Sequence, residues 1–160
     1  MSPQSESSIK ISDFLKTKRI VIVRSDTTKQ KLIEKLTSLI AKDLSGLKKD
    51  FLLDKIVQRE RGISTTLDTG LSIPHARIEN INDFAVALAL IPKGLKEGSS
   101  PSADITAMFL FLSPSDAKFF QKHLKLLSVL SSTFQPEFIN KLNSLKTPKQ
   151  VLDAIANHTP

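Results

Sequence analysis

One stretch of this chain concentrates groups that can do chemistry: Arg59-Glu-Arg-Gly-Ile-Ser-Thr-Thr-Leu-Asp-Thr-Gly-Leu-Ser-Ile-Pro-His75-Ala-Arg77. His75 follows a proline, whose ring fixes the backbone just before it. The residues around it are small and polar, so a bulky group on a partner can approach the imidazole. A neutral imidazole nitrogen can attack phosphorus, or take a proton near pH 7. Ser64, Thr65 and Thr66 offer hydroxyls, and Arg59, Arg61 and Arg77 offer cations. Those are the groups a phosphoryl dianion needs around it. By residue type alone, the same stretch also describes a loop histidine with one hydrogen bond and no role.

The elements that must position His75 follow from hydrophobic spacing. Ile9–Lys18 is expected to form a short helix. Arg19–Arg24 is a β-branched run typical of a strand. Ser25-Asp-Thr-Thr28 supplies N-cap chemistry for a helix carrying Leu32, Ile33, Leu36, Leu39 and Ile40 at three- and four-residue spacing. A second helix is expected from about Lys49 to Arg61, stopped by Gly62. Residues 62–83 read as a loop with a short strand at Leu71–Ile73. Phe84–Ile91 and Ile105–Leu112 are nearly continuously apolar, the pattern of strands covered on both faces. Pro92, Gly94, Gly98 and Pro101 mark the loop between them. Ser113-Pro-Ser-Asp116 reads as a helix start. The helix that follows carries Phe119, Phe120, Leu124, Leu127 and Leu130. Two more are expected, near Glu137–Ser144 and Pro148–Asn157. This pattern predicts an α/β fold, a three-layer sandwich with a mixed central β-sheet flanked by α-helices. Residues 1–8 are expected to be a disordered tail and residues 9–157 a single domain.

The Arg59-Glu60, Ser64-Thr65 and Gly70-Leu-Ser-Ile-Pro-His75 segments together resemble a known signature. It is the phosphorylation site of EIIA domains of the bacterial phosphoenolpyruvate-dependent phosphotransferase system, of the fructose/mannitol type that includes the nitrogen-regulatory EIIA proteins. In that family an Arg-Glu pair leads into Ser-Thr, and a Gly-Ile-Ala-Ile-Pro-His segment follows whose His carries the phosphoryl group. Phe119-Phe-Gln-Lys-His123-Leu-Lys-Leu-Leu resembles the family's His-Leu-x-x-Leu helix, which holds a second histidine beside the first. On spacing alone, His123 lies on or beside the Leu124/Leu127/Leu130 stripe, where a core or boundary histidine is the ordinary reading. The resemblance covers about residues 9–157. Two departures stand in the signature: Ser72 where the family usually has Ala, and Ala76 where it has Gly. Gly62-Ile63 also replaces the commoner Leu-Gly order.

The resemblance implies that His75 is the phosphoryl acceptor. It implies that His123 donates a hydrogen bond to the phosphoryl group or holds the tautomer of His75. Arg59, Ser64 and Thr65 would bind phosphate, while Gly70 and Pro74 shape the loop, with no metal and no cofactor. The implied partners are an HPr-like phosphocarrier protein as donor and an EIIB or a regulated target protein as output. Such a protein counts as a transferase if a covalent phosphohistidine intermediate is taken as enzyme chemistry. The opening Ile9-Lys-Ile-Ser-Asp-Phe-Leu15 is most like the nitrogen-regulatory branch, so regulation by phosphorylation state is the leading expectation. Sugar uptake of the fructose/mannitol type is the alternative within the family. A protein-binding module that is never phosphorylated is the alternative of another class.

Composition narrows the rest. The chain has 160 residues and no Cys, which excludes disulfides, thiolate metal sites and cysteine nucleophiles. Three histidines are too few for an ordinary all-protein zinc site. His158, two residues from the C-terminus, is expected to be exposed and silent. The longest apolar runs are eight residues, far short of the roughly 20 that span a bilayer. The polar first residues carry no apolar signal core. No stable membrane insertion and a cytoplasmic location are therefore expected. A hydrolase with His75 as general base finds no carboxylate or nucleophile beside it in any recognisable motif. The formal charge is +7, and residues 1–62 hold 14 Lys+Arg against 8 Asp+Glu. No nucleic-acid motif accompanies that excess, so a solvated helix face or an acidic protein partner is expected in place of nucleic acid. If the basic segment steers an acidic partner, the association rate should fall as ionic strength rises from low to physiological, as stopped-flow mixing would show.

Overall fold

A computed structural model describes residues 9–62, 65–96 and 104–158. The expected disordered tail, Ser64, Gly98 and Pro101 lie outside the described residues. The elements are β1 (Ile20–Ile22), α1 (Lys29–Ala41), α2 (Lys49–Gly62), β2 (Leu71–Ser72), β3 (His75–Ile78), β4 (Ala85–Lys96), β5 (Asp104–Pro114), α3 (Phe120–Thr133), α4 (Pro136–Asn143) and α5 (Pro148–Asn157). β1 runs parallel to β4, β4 antiparallel to β5, and β2 and β3 both parallel to β5. The sheet is mixed and lies between two layers of helices, as the apolar patterning predicts.

Alternation along the central strands builds the two layers. Val86, Leu88 and Leu90 of β4, with Phe109 and Phe111 of β5, face α3, α4 and α5. Ala85, Ala87, Ala89 and Ile91, with Met108, Leu110 and Leu112, face α1 and α2. Small alanines on one side let α1 and α2 approach the sheet closely. Bulky phenylalanines fill the wider opposite side. Each fully buried Leu or Phe contributes roughly 1.5–3 kcal/mol by leaving water.

Four local expectations are corrected. Ile9–Lys18 is not one helix. It holds 3₁₀ turns at Ile11–Asp13 and Thr17–Arg19, because Ile11 and Leu15 are drawn into the α5-side core. β4 does not stop at Ile91. It continues past Pro92 and Gly94, and its pairing with β5 shifts between Leu90 and Leu95. The missing N–H of Pro92 and the positive φ of Gly94 (77°) fall inside that irregular segment, where no ladder bond is lost. Ser113 does not cap a helix, because β5 runs on through Pro114. Asp116 is the cap instead, and it accepts from Lys118 N at 2.9 Å ahead of α3. Finally, the loop expected over 62–83 contains β3. Pro74 lies on the sheet edge, where its missing donor costs nothing, and its carbonyl accepts from Phe111 N at 3.1 Å.

The expected cap chemistry before α1 is met, with Thr28 accepting from Lys31 N at 3.1 Å. At α5, Thr147 with Gln150 forms a capping box not singled out from the sequence. His158 differs from its expected free exposure. It is half-buried, its ring 3.9 Å from that of Phe138.

Gly70 is the glycine the fold most needs. Its φ is +100°, and a Cβ there would meet Thr106 Oγ1 at 2.5 Å. Its carbonyl accepts from Thr106 N and Ala107 N, which starts the pairing of β2 with β5. Gly70→Ala should therefore lower unfolding free energy by about 1–3 kcal/mol in urea titration. Gly62→Ala, where nothing lies within 4 Å, should leave it nearly unchanged or slightly raised.

Candidate functional site

β2 and β3 act as one edge strand broken at Ile73-Pro74. Leu71 pairs with Ala107 and His75 with Phe111, so the register is the same on both sides of the break. Alternation then puts His75 and Arg77 on the α3 side, and Ala76 and Ile78 in the α1/α2 layer. The His75 ring stacks on Phe111, with centroids 5.0 Å apart and planes 7° apart. Its Nδ1 lies 2.8 Å from the carbonyl oxygen of Ile73. A carbonyl only accepts, so Nδ1 carries the proton in the neutral ring. The lone pair is therefore on Nε2.

α3 brings His123 over the same strand end, with its ring centroid 5.4 Å from that of His75. His123 belongs to the buried face His123/Leu126/Leu130/Thr133, and Leu124 is exposed. The expected Leu124/Leu127/Leu130 stripe is thus shifted around the helix. Ser113 Oγ and His123 Nδ1 are 2.7 Å apart, and Ser113 is fully buried. Phe120, one turn before His123, stacks beside its ring at 6.2 Å and 12°. The Arg77 guanidinium lies 5.2 Å from the Phe120 ring centre, and its Nη2 donates to the carbonyls of Pro114 and Asp116, both at 2.9 Å.

His75 and His123 open into a cavity of about 400 Å³, whose other walls are Lys55, Gln58 and Arg59 of α2 and Ala76 and Arg77 of β3. Size does not single it out, since a cavity of about 390 Å³ lies near Arg19, Asp43 and Asp83. Its chemistry does. Three cations and two imidazoles line it, with no carboxylate among the described lining residues. Such a wall suits an anion and offers no partner for general-base hydrolysis. No group of three His, Cys, Asp or Glu suited to a metal occurs among the described residues. No helix among them is long and apolar enough to cross a membrane.

The remaining predicted residues sit around this cavity in different ways. Arg59 lines it. Thr65 does not; its hydroxyl donates to Glu60 Oε1, and its carbonyl accepts from Ile73 N at 3.1 Å. Glu60 also pairs with Lys29 Nζ at 3.0 Å. Thr65 thus ties the start of the loop to α2 and, through Ile73 N, to the residue whose carbonyl anchors His75. Ser72 and Ala76 are both accommodated. The Ser72 hydroxyl accepts from Thr66 Oγ1 at 3.3 Å, and Ala76 packs in ordinary extended backbone against the α2 layer. Reading the sequence for chemistry missed Ser113, which its Ser-Pro-Ser-Asp context disguised as a helix cap. It also passed over Lys55 and Gln58. Gln58 and Arg59 are three and four residues on from Lys55, which puts all three on one side of α2, a signal that was available.

Burial keeps both histidines neutral. Desolvation is the main cause holding His75 below its ordinary 6.5, partly opposed by the Ile73 carbonyl and reinforced by Arg59. Desolvation, then His75, Arg77 and Arg59, lower His123 to about 4. The unfolded chain therefore binds more protons than the folded one below about pH 6.5. Stability contributed by the neutral rings is present above that pH and is lost as pH falls toward 4. The thermal midpoint should accordingly drop between pH 7 and pH 5, and His123→Gln should flatten that drop in scanning calorimetry at both pH values.

Comparison with known proteins places this geometry. The model of the family described as "Phosphoenolpyruvate-dependent sugar phosphotransferase system, EIIA 2" matches residues 13–158. The chain is 26% identical over 147 residues to the fructose-specific EIIA component of the phosphotransferase system of Haloferax volcanii, covering 91% of this chain and 94% of that one. It is 21% identical over 150 residues to the nitrogen regulatory protein of Pseudomonas aeruginosa, covering 93% and 96%. In structure it is similar to the nitrogen regulatory protein IIA-Ntr of Neisseria meningitidis, with a TM-score of 0.80, 23% identity, and 91% and 98% of the two chains covered. It also resembles IIA mannitol of Escherichia coli solved with phosphorylated IIB mannitol, with a TM-score of 0.72, 17% identity, and 90% and 98% covered. Matched over nearly its whole length, with Arg59, His75 and His123 lining one cavity, the chain belongs to the type-2 EIIA family of the phosphoenolpyruvate-dependent sugar phosphotransferase system.

Proposed function

We propose that residues 9–157 form one phosphocarrier domain that accepts a phosphoryl group on His75 Nε2 from the phosphohistidine of an HPr-like protein. The observation that carries this reading is the pair of buried rings in a cation-lined cavity, one of them with its Nε2 lone pair left by the Ile73 bond. In the transfer, a P–N bond forms at His75 Nε2 as the donor's P–N bond breaks. The donor ring keeps the electron pair of the broken bond, and no other reactant is needed. The transition state is loose and in line, so positioning and charge stabilisation dominate. As His75 becomes a phosphorylated imidazolium, its Nδ1–H remains bonded to the Ile73 carbonyl, which disperses the developing positive charge. Arg59 neutralises phosphoryl oxygens. His123 donates a hydrogen bond to them. Thr65 holds the loop that borders the site, and Gly70 and Pro74 set its path. No cofactor or metal takes part.

The output is protein binding that depends on the phosphorylation of His75, the expectation raised by the Ile9–Leu15 opening. A dianion placed in a partly desolvated cavity changes the charge of the surrounding surface enough to switch an interface. The second reading, transfer to an EIIB during sugar uptake, is favoured by the similarity to the fructose-specific relative. Either role operates in the cytoplasm, where phosphoenolpyruvate is the donor at the head of the chain.

Incubation with phosphoenolpyruvate, enzyme I and an HPr-like carrier should add one phosphoryl group to the intact mass at mildly alkaline pH. The gain should vanish on acid treatment and in His75→Ala. Arg59→Gln should slow it about 10- to 100-fold. Absence of any gain in the unmutated protein would leave the unphosphorylated binding module as the better account. Passing the labelled protein to an EIIB separates transport from regulation.

A further inference from the structure

The fully buried hydroxyl of Ser113 has a task that neither the fold nor the transfer step has yet assigned. Ser113 Oγ lies 2.7 Å from His123 Nδ1, and among the described residues it has no other hydrogen-bond partner. A serine hydroxyl can donate one hydrogen and accept others, while a neutral imidazole carries its proton on only one of two nitrogens. Two arrangements are therefore possible. If His123 donated from Nδ1, the Ser113 hydrogen would be buried with no acceptor, which native interiors avoid. If Ser113 donates to Nδ1, both groups are satisfied, and the His123 proton is left on Nε2.

The surroundings favour a neutral ring in which this choice matters. His75, Arg77 and Arg59 each oppose a second positive charge on His123. Phe111 and Phe120 cover the ring without supplying an acceptor. With Nδ1 occupied by Ser113, Nε2 is the nitrogen left for the cavity that His123 shares with His75.

We infer that Ser113 is a positioning residue: by donating to His123 Nδ1 it fixes the proton on His123 Nε2, so that a donor stands beside the Nε2 lone pair of His75. The two rings then present complementary groups, a nucleophile on one and a hydrogen-bond donor for phosphoryl oxygens on the other. Ile73 sets the first through a carbonyl and Ser113 sets the second through a hydroxyl. The tautomer assignment stands by itself, and its effect on rate rests on the phosphocarrier reading above.

Long-range ¹H–¹⁵N correlation spectra of the unphosphorylated protein at pH 7.5 read the tautomer directly, through the distinct nitrogen shifts of protonated and unprotonated ring positions. In the unmutated protein His123 should carry its proton on Nε2. In Ser113→Ala it should become a mixture, and Ser113→Thr, which restores the hydroxyl, should recover the Nε2–H form. Phosphorylation of His75 should slow about tenfold in Ser113→Ala at saturating carrier, with the carrier concentration for half-maximal rate unchanged. A proton on His123 Nδ1 in the unmutated protein overturns the inference without recourse to any variant. So does a His123 tautomer that is the same in Ser113→Ala. The expected tautomers, with no phosphorylation of His75 in any of these proteins, uphold the Ser113 assignment and overturn the phosphocarrier reading.

Discussion

Leu71 lies beside Ala107, Ser72 beside Met108 and His75 beside Phe111, and this unbroken register between the edge strand and β5 is what the site depends on. Strand side chains alternate, so a slip of one residue would send His75 into the α1/α2 layer and bring Ala76 toward α3. Gly70 starts the pairing because only glycine fits against Thr106 at its backbone angle. Pro74 carries it across the break by offering its carbonyl to Phe111 N. The break itself is useful. It leaves the Ile73 carbonyl turned away from the ladder and available to His75 Nδ1. One local irregularity thus both places the imidazole and chooses its tautomer.

Electrostatics at the site are set by a competition between burial and charge. Both histidines are nearly inaccessible to solvent, which disfavours their protonated forms. The cations around them act in the same direction. Those same cations favour an anion in the cavity. The site is therefore hostile to a proton on the rings and hospitable to a phosphoryl group, and this asymmetry favours the neutral, nucleophilic form of His75. Glu60, the carboxylate next along the chain from Arg59, does not cancel this. It is engaged by Lys29 and by Thr65. Its charge is spent on holding the loop to α2.

The amphipathic layers explain why these side chains converge. α1 packs on the alanine-rich face of β4 and α2 beside it against β3, which carries Lys55 and Arg59 to the strand end. The phenylalanine-rich face lifts α3 and supplies the flat surface of Phe111 on which His75 stacks. Three large apolar side chains among the described residues remain exposed, and two of them, Phe120 and Leu124, belong to the same helix as His123. Phe120 has a structural partner in Arg77, whereas nothing in the packing of α3 accounts for the exposure of Leu124.

The amino-acid sequence by itself determined the layers, the helices α1, α2, α4 and α5 to within a residue or two, and the two central strands, because continuous and periodic apolar patterns are local signals. It also determined the chemical character of the Arg59–Arg77 stretch, whereas the candidacy of His75 and His123 rested on the resemblance of their contiguous motifs to a family signature. It did not determine β3, since Pro74 reads locally as a turn and only the edge position next to β5 makes a proline harmless there. It did not determine the part played by Ser113, whose local context is that of a helix cap. Its partner lies ten residues on and meets it only when α3 folds back over β5. Nor could it show that Thr65 is held by Glu60 and not open to the cavity. Tautomers, cavity walls and buried pairs depend on which distant groups come within 3 Å of each other, and only tertiary packing decides that.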